Sequence, residues 1–203
     1  MENLQIADLN DRPMVSHLEK LSAGCLCGAI RFTINFPPEA PWPPSFQIGT
    51  CQCTRCRKFT GALLPHLISM PSTSLTPPLT PTSFPTYTLY PSSATAFRGF
   101  CRVCGASLSF VSRAGADDSA VSDTVELHVG CLDEDDLVGR KACEERDGEH
   151  GMRAVREGGE VGRDIGQCAS HIWVENAVEG YSDAGCLKGK KWWKDQSKGK
   201  PMS

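Results

Sequence analysis

Seven cysteines fall in three short clusters that lie far apart along the chain: Cys25 and Cys27 in "GCLCG", Cys51, Cys53 and Cys56 in "CQCTRC", and Cys101 and Cys104 in "FCRVCG". Few other features restrict a fold as strongly, because sulfurs that share a partner must be brought together whatever separates them. The chain has 11 cysteines, an odd count that fits complete pairing poorly. Its start, "MENLQIADLNDRPMVSHLEK", lacks the basic n-region and apolar run of a secretory leader. The sequence therefore reads as soluble and cytoplasmic, where grouped thiols serve as metal ligands or redox centres more often than as disulfides.

The Cys-x-x-Cys-Gly turn at 101 to 105 is a familiar half of a zinc site, with two sulfurs converging on one ion and a glycine closing the loop. A second half at Cys25 and Cys27 completes four ligands. The spacing thus predicts a closed tetrathiolate zinc site from Cys25, Cys27, Cys101 and Cys104. Cys51, Cys53 and Cys56 remain as a trio, and three protein ligands with an open fourth position are how zinc proteins expose the ion to chemistry. Two alternatives stay open at this point. A fourth ligand, such as His66, His128 or Cys131, would close the second site, and a redox Cys-x-x-Cys at 53 to 56 would need a βαβ context that the sequence lacks.

Charge limits what an open site could do. Three thiolates around a divalent zinc leave one net negative charge, so a bound water is activated less than by three neutral histidines. A fourth thiol is a soft ligand that can bind and lose its proton, which makes a thiol or thiol adduct the natural client. Arg57 and Lys58 follow the last ligand and are candidates to offset charge or meet a substrate carboxylate; as exposed cations they can equally be solvated.

The rest of the chain predicts a mainly β fold, a single domain of short antiparallel strands with long loops and little helix. Ile30, Phe32 and Ile34 alternate with polar residues, the period of a strand with one buried face. Further strands are expected over 46–50, 63–70, 86–90, 96–100, 107–112, 124–129 and 170–174, all short and bounded by turn-forming residues. The prolines of "PPEAPWPPS" mark a loop. Residues 1–20 are expected to be an extension, 21–186 the domain, and 187–203 a basic tail. Two insertions interrupt the domain: a Pro/Ser/Thr-rich surface loop at 71–86, and a charged, glycine-rich stretch at 133–164, read as a poorly ordered excursion rather than a helix around 137–146. Cys131, Cys143, Cys168 and Cys186 are expected to be buried or incidental thiols, and His171 a packed side chain.

A net charge of -3 offers no global field for a polyanion, and no stretch approaches the about 18 apolar residues of a membrane span, so neither nucleic acid nor membrane is suggested as a partner. Gly-x-Ser-x-Gly, His-Glu-x-x-His and Walker-type signatures are absent, and "GGEVGRDIG" lacks the preceding strand of a dinucleotide site. Only the lysines between 188 and 200 could support a rival reading, a non-catalytic zinc module that binds protein or nucleic acid.

"GCLCGAIRF", "CQCTRCRKFTGA", "FRGFCRVCGASLSF", "VELHVGCLDEDD" and "HIWVENAVEG" together resemble the successive motifs of the glutathione-dependent formaldehyde-activating enzyme family, which includes centromere protein V. The resemblance implies a zinc-binding β-tent with two zinc ions per chain. It implies a structural ion at Cys25, Cys27, Cys101 and Cys104 and a second ion at Cys51, Cys53 and Cys56, beside the site for glutathione. The implied activity is that of a carbon-sulfur lyase, joining glutathione and formaldehyde to S-(hydroxymethyl)glutathione or reversing that step. The two insertions leave room for the same zinc site to act on another adduct, of specialised metabolism or detoxification.

Overall fold

Alternation of apolar and polar residues sets the first strands of the computed structural model, which describes residues 18–38, 42, 47–112, 123–147, 151–166, 170–183 and 190–191. β1 (Lys20–Gly24) and β2 (Arg31–Asn35) pair antiparallel, burying Leu21, Ala23, Phe32 and Ile34 on one face. β3 (Gln47–Cys51) and β4 (His66–Pro71) follow, with a short helix, α1 (Thr54–Thr60), between them. β5 (Leu75–Thr76) returns to the edge of β2. The Pro/Ser/Thr-rich segment is therefore more than a surface loop: Leu75 and Phe84 pass into the core from it.

β6 (Tyr87–Ser93), β7 (Ala96–Cys101), β8 (Ser107–Ser112) and β9 (Thr124–His128) form an antiparallel meander that joins β4. Next come α2 (Glu134–Val138), a hairpin of β10 (Arg140–Asp147) and β11 (Gly151–Glu157), and α3 (Glu160–Gly166). β12 (Ser170–Ile172) and β13 (Lys190–Lys191) complete an eight-stranded sheet in the order β13-β12-β3-β4-β9-β8-β7-β6. The fold is mainly β, as the sequence predicts. One edge departs from the antiparallel expectation, since β12 runs parallel to both β3 and β13. That arrangement needs a long connection, and the segment between β9 and β12 supplies it.

The charged stretch after β9 is not a loose excursion. Val161 and Ile165, one helical turn apart on α3, are buried in the main core, and Trp42 Nε1 donates to Asp164 Oδ2 at 3.0 Å in a buried contact. Arg31 clasps Asp133 with both guanidinium nitrogens, and the Ser22 amide donates to Asp136 at 2.6 Å, fixing the start of α2 to the small sheet. Its hairpin, by contrast, is largely exposed. The N-terminal extension ahead of residue 18, most of "PPEAPWPPS", Cys168, Cys186 and the side chains of the lysine-rich tail lie outside the described residues.

The large sheet has two different faces, and strand register decides which residues each carries. Ile48, Ile68, Leu127, Ser109 and Gly99 are successive partners across β3, β4, β9, β8 and β7 on the face that packs with the small sheet into one core. The neighbouring row, Gln47, Ser69, Glu126, Phe110 and Arg98, must then face the other way. Cys51 and His128 follow the same parity, and α1 lies on that side. No helix among the described residues is long and apolar enough to cross a membrane.

Candidate functional site

The two outer cysteine clusters meet at the small sheet. Cys25, Cys27, Cys101 and Cys104 bring their four sulfurs within 4.8 Å of one another. Cys25 and Cys27 Sγ are 3.5 Å apart, and Cys27 and Cys101 Sγ 3.8 Å. A disulfide requires about 2.0 Å, so these thiols are not bridged. Sulfurs at zinc-ligand bond lengths of about 2.3 Å, set at the corners of a tetrahedron, would lie about 3.8 Å apart. The donor set therefore fits a closed tetrahedral metal site.

Its local shape comes from two matching turns. Gly28 (φ 77°) and Gly105 (φ 73°) take left-handed backbone angles, and their amides return to the carbonyls of Cys25 and Cys101 at 3.0 and 2.8 Å. The Ile30 amide also donates to Cys25 Sγ at 3.3 Å. Amides aimed at sulfur favour its anionic form, which metal binding requires.

The trio sits on the opposite face of the large sheet, where β3 runs into α1. Cys51, Cys53 and Cys56 hold their sulfurs within 4.8 Å of one another, and among the described residues no fourth His, Cys, Asp or Glu shares that radius with all three. Neither His66, His128 nor Cys131 joins the group. Cys53 caps α1, accepting a hydrogen bond from the Cys56 amide at 3.3 Å, so the helix start itself aims one sulfur inward. Hydrogen bonds from Cys51 and then Cys56 hold Cys53 well below the ordinary thiol range, with the Cys56 amide and Arg98 adding to the effect and burial opposing it. The same shared hydrogen bonds, with burial, push Cys51 up. The surroundings of Cys53 thus favour its thiolate form, which suits a soft cation.

Arg98 is the cation that meets these sulfurs. It is only 4% exposed, it donates from Nη1 to Cys56 Sγ at 3.4 Å, and its guanidinium lies between the rings of Phe59 (5.6 Å) and Phe110 (5.4 Å). The two cations next to the motif are placed otherwise. Arg57 donates to the Asn176 carbonyl at 2.7 Å, tying α1 to the short turn (Val174–Asn176) that follows β12, and Lys58 is exposed.

On its remaining side the trio packs with Leu67, Ile172 and Trp173. Trp173 holds φ 60°, ψ 38°, a conformation that a bulky residue adopts at a cost on the order of 1 to 3 kcal/mol. Strain of this kind persists where the surroundings over-determine it, here at the wall of the three-thiol cluster. In the same row as Arg98, Glu126 is raised to about 7, chiefly by burial, with Arg98 opposing and Cys53 reinforcing the shift.

The other singled-out residues have plainer roles. His171 is buried with Nδ1 against Thr50 Oγ1 at 2.7 Å, a packed side chain as expected. Cys131 belongs to the main core, where burial pushes its thiol up to about 12, and Cys143 is an exposed residue of β10.

The sequence model of the family described as glutathione-dependent formaldehyde-activating enzyme matches residues 20–146, more than half of the chain and all seven clustered cysteines. The chain belongs to this family. Membership brings a glutathione-related, formaldehyde-activating function and catalytic character at the level of the family, while the two cysteine groups could each hold a metal ion. Comparison with curated proteins gave no match. Arg98 lies within the matched span of the family and carries no signal by itself, since its link to Cys56 appears only once β7 and α1 are packed. Trp173 lies beyond that span, and the "HIWV" motif gave no hint of its backbone.

Proposed function

We propose that the chain is a zinc-dependent carbon-sulfur lyase that makes and breaks the bond between a thiol sulfur, glutathione's in the first instance, and an aldehyde carbon. In this reading Cys25, Cys27, Cys101 and Cys104 hold a structural zinc ion, and Cys51, Cys53 and Cys56 a second, reactive one. The observation that carries the reading is the trio: three sulfurs at metal-binding separation, no fourth donor among the described residues, and a buried arginine behind them.

A zinc ion held there would supply Lewis acidity that favours the thiolate of an incoming thiol. The chain's own contribution is charge, orientation and dryness. Three thiolates outweigh a divalent ion by one charge, and Arg98 cancels the excess, so a fourth anionic sulfur meets a neutral centre rather than a negative one. Cys53, fixed as the cap of α1, gives the cluster one settled direction. Leu67, Ile172 and Trp173 keep water from one side. In the bond-forming direction the sulfur lone pair attacks the carbonyl carbon, the carbonyl π pair moves to oxygen, and that oxygen takes up the proton the thiol released. In reverse the hydroxyl proton returns and the carbon-sulfur bond breaks.

Thiols add to formaldehyde unaided, so the test is exchange above background. Glutathione and formaldehyde exchange, followed by NMR line-broadening, should exceed the uncatalysed rate with the native protein and match it with Cys53→Ser. A native protein that adds nothing to the background rate ends this reading. X-ray absorption at the zinc edge gives a second readout: two ions per chain and a glutathione-dependent gain in sulfur coordination are expected.

A further inference from the structure

A cleft of about 1030 Å³ opens beside α1, between the turn leading into β4 and the two helices of the charged insertion. Phe59, Leu64 and His128 line one wall, and Leu137, Val138 and Ile165 the other. The second wall is a built surface. Gly162 allows α3 to press on α2, since a Cβ there would stand 2.2 Å from the Leu137 carbonyl oxygen, and the Trp42 to Asp164 hydrogen bond pins α3 to the core. α3 also lies beyond the residues that the family's sequence model matches.

One polar group in the cleft lacks a partner. His128 is 4% exposed, both ring nitrogens are covered, and neither has a hydrogen bond among the described residues. The hydroxyls on the same wall are engaged, Thr60 Oγ1 donating to the Cys56 carbonyl at 2.9 Å and Ser107 Oγ to the Phe59 carbonyl at 2.7 Å. Burial, followed by Arg98, holds His128 down to about 4, so at neutral pH one nitrogen donates and the other accepts. An unpaired buried imidazole in a largely apolar cavity is where a ligand's polar group belongs. None of the three cysteines lines the cleft, but Phe59 does, and its ring also meets His128 at 5.6 Å and Arg98, which reaches Cys56. One aromatic ring therefore separates the cleft from the trio's arginine.

Cleft size argues about substrate. Formaldehyde has two heavy atoms, whereas cavities of roughly 300 to 1,000 Å³ hold ligands of drug size. We propose that this cleft binds the carbon skeleton of an aldehyde larger than formaldehyde, or of its thiol adduct: a molecule whose apolar chain lies on Leu137, Val138 and Ile165 and whose oxygen pairs with His128 once the ring turns its covered nitrogens toward the cavity. The proposal rests on the lyase reading of the trio and names the substrate class for it.

Unreactive probes separate the two ideas. 1-Butanol, 1-hexanol and 1-octanol are titrated into the full-length, metal-loaded protein while the His128 ring and the Leu137 and Ile165 methyl signals are followed by NMR. Affinity should rise about fourfold for each added methylene, the gain from burying it. Val138→Trp, which fills the cleft from its exposed rim, should weaken octanol binding tenfold or more. His128→Phe should weaken it severalfold while leaving the chain-length trend. With aldehydes, kcat/KM for hexanal should exceed that for formaldehyde, and Val138→Trp should lower that ratio at least tenfold. Cys53→Ser should lose exchange with both aldehydes yet bind octanol as before, so a failed trio and a failed cleft give different results. Chain-length-independent alcohol binding, or a hexanal-to-formaldehyde ratio unmoved by Val138→Trp, overturns the proposal.

Discussion

The two cysteine groups use the same atom type and differ in what surrounds it. In the quartet, two turns supply four sulfurs and their amides, and the set is complete from local sequence. The trio takes its sulfurs from one stretch but its environment from distant ones: Arg98 from β7, Phe110 from β8, Leu67 from β4, and Trp173 from beyond β12. A closed site can be written almost entirely into two short motifs, whereas a site meant to accept something further borrows from the whole sheet.

The contrast breaks most visibly if each group loses one sulfur. Cys101→Ser removes a core residue that is, on the proposed reading, a ligand of structural zinc, which contributes folding energy directly. We expect a loss of at least about 4 kcal/mol and a fall in Tm of about 10 °C or more, read by thermal unfolding with metal analysis. Cys53→Ser, at a half-buried site, should keep Tm within a few degrees while exchange falls to background. If the two variants melt alike, the division between a staple and a reactive centre is wrong. Graded chelation sharpens the same point without mutation: metal should leave the three-sulfur group first, and secondary structure by circular dichroism should survive until the second equivalent is removed.

A smaller effect tests the arginine. Arg98→Met should lower metal affinity at the trio by about 10- to 100-fold, the range found when a group supporting a metal ligand is removed, as measured by competition with a chromophoric chelator. Arg98→Lys should recover only part, because a lysine cannot stack between Phe59 and Phe110 as a planar guanidinium does. The quartet's affinity should not move in either variant. Smallest of all is a pH effect at Glu126. Its carboxyl is raised to about 7 in the fold, so the folded state holds its proton more tightly than the unfolded chain does, and stability falls as pH climbs toward and through 7. Glu126→Gln should therefore gain stability over the native protein at pH 8 and match it near pH 4, as seen in paired denaturant titrations.

The sequence made the strands and the quartet legible for the same reason: each is encoded over a few residues. β8 spans the residues expected of it, and the predicted strand at 96–100 is extended by one residue in β7. The charged insertion hides its helix because its six glycines and dense charges mask a single strong cue, the spacing of Val161 and Ile165. Read as one helical turn, that pair would have predicted a buried helix face. Arg98 and His128 could not be found this way. Both depend on register, which places them beside α1 only after β4, β9, β8 and β7 have been lined up.

The span of the quartet also bears on how the molecule is made. Cys27 and Cys101 are separated by 74 positions, so a ribosome adding roughly 5 to 20 residues each second presents the first pair of thiols several seconds before the second. During that interval β1 and β2 carry half of the four-sulfur group and no way to finish it. The nascent chain must keep those sulfurs reduced and unclaimed until the turn closed by Gly105 has emerged.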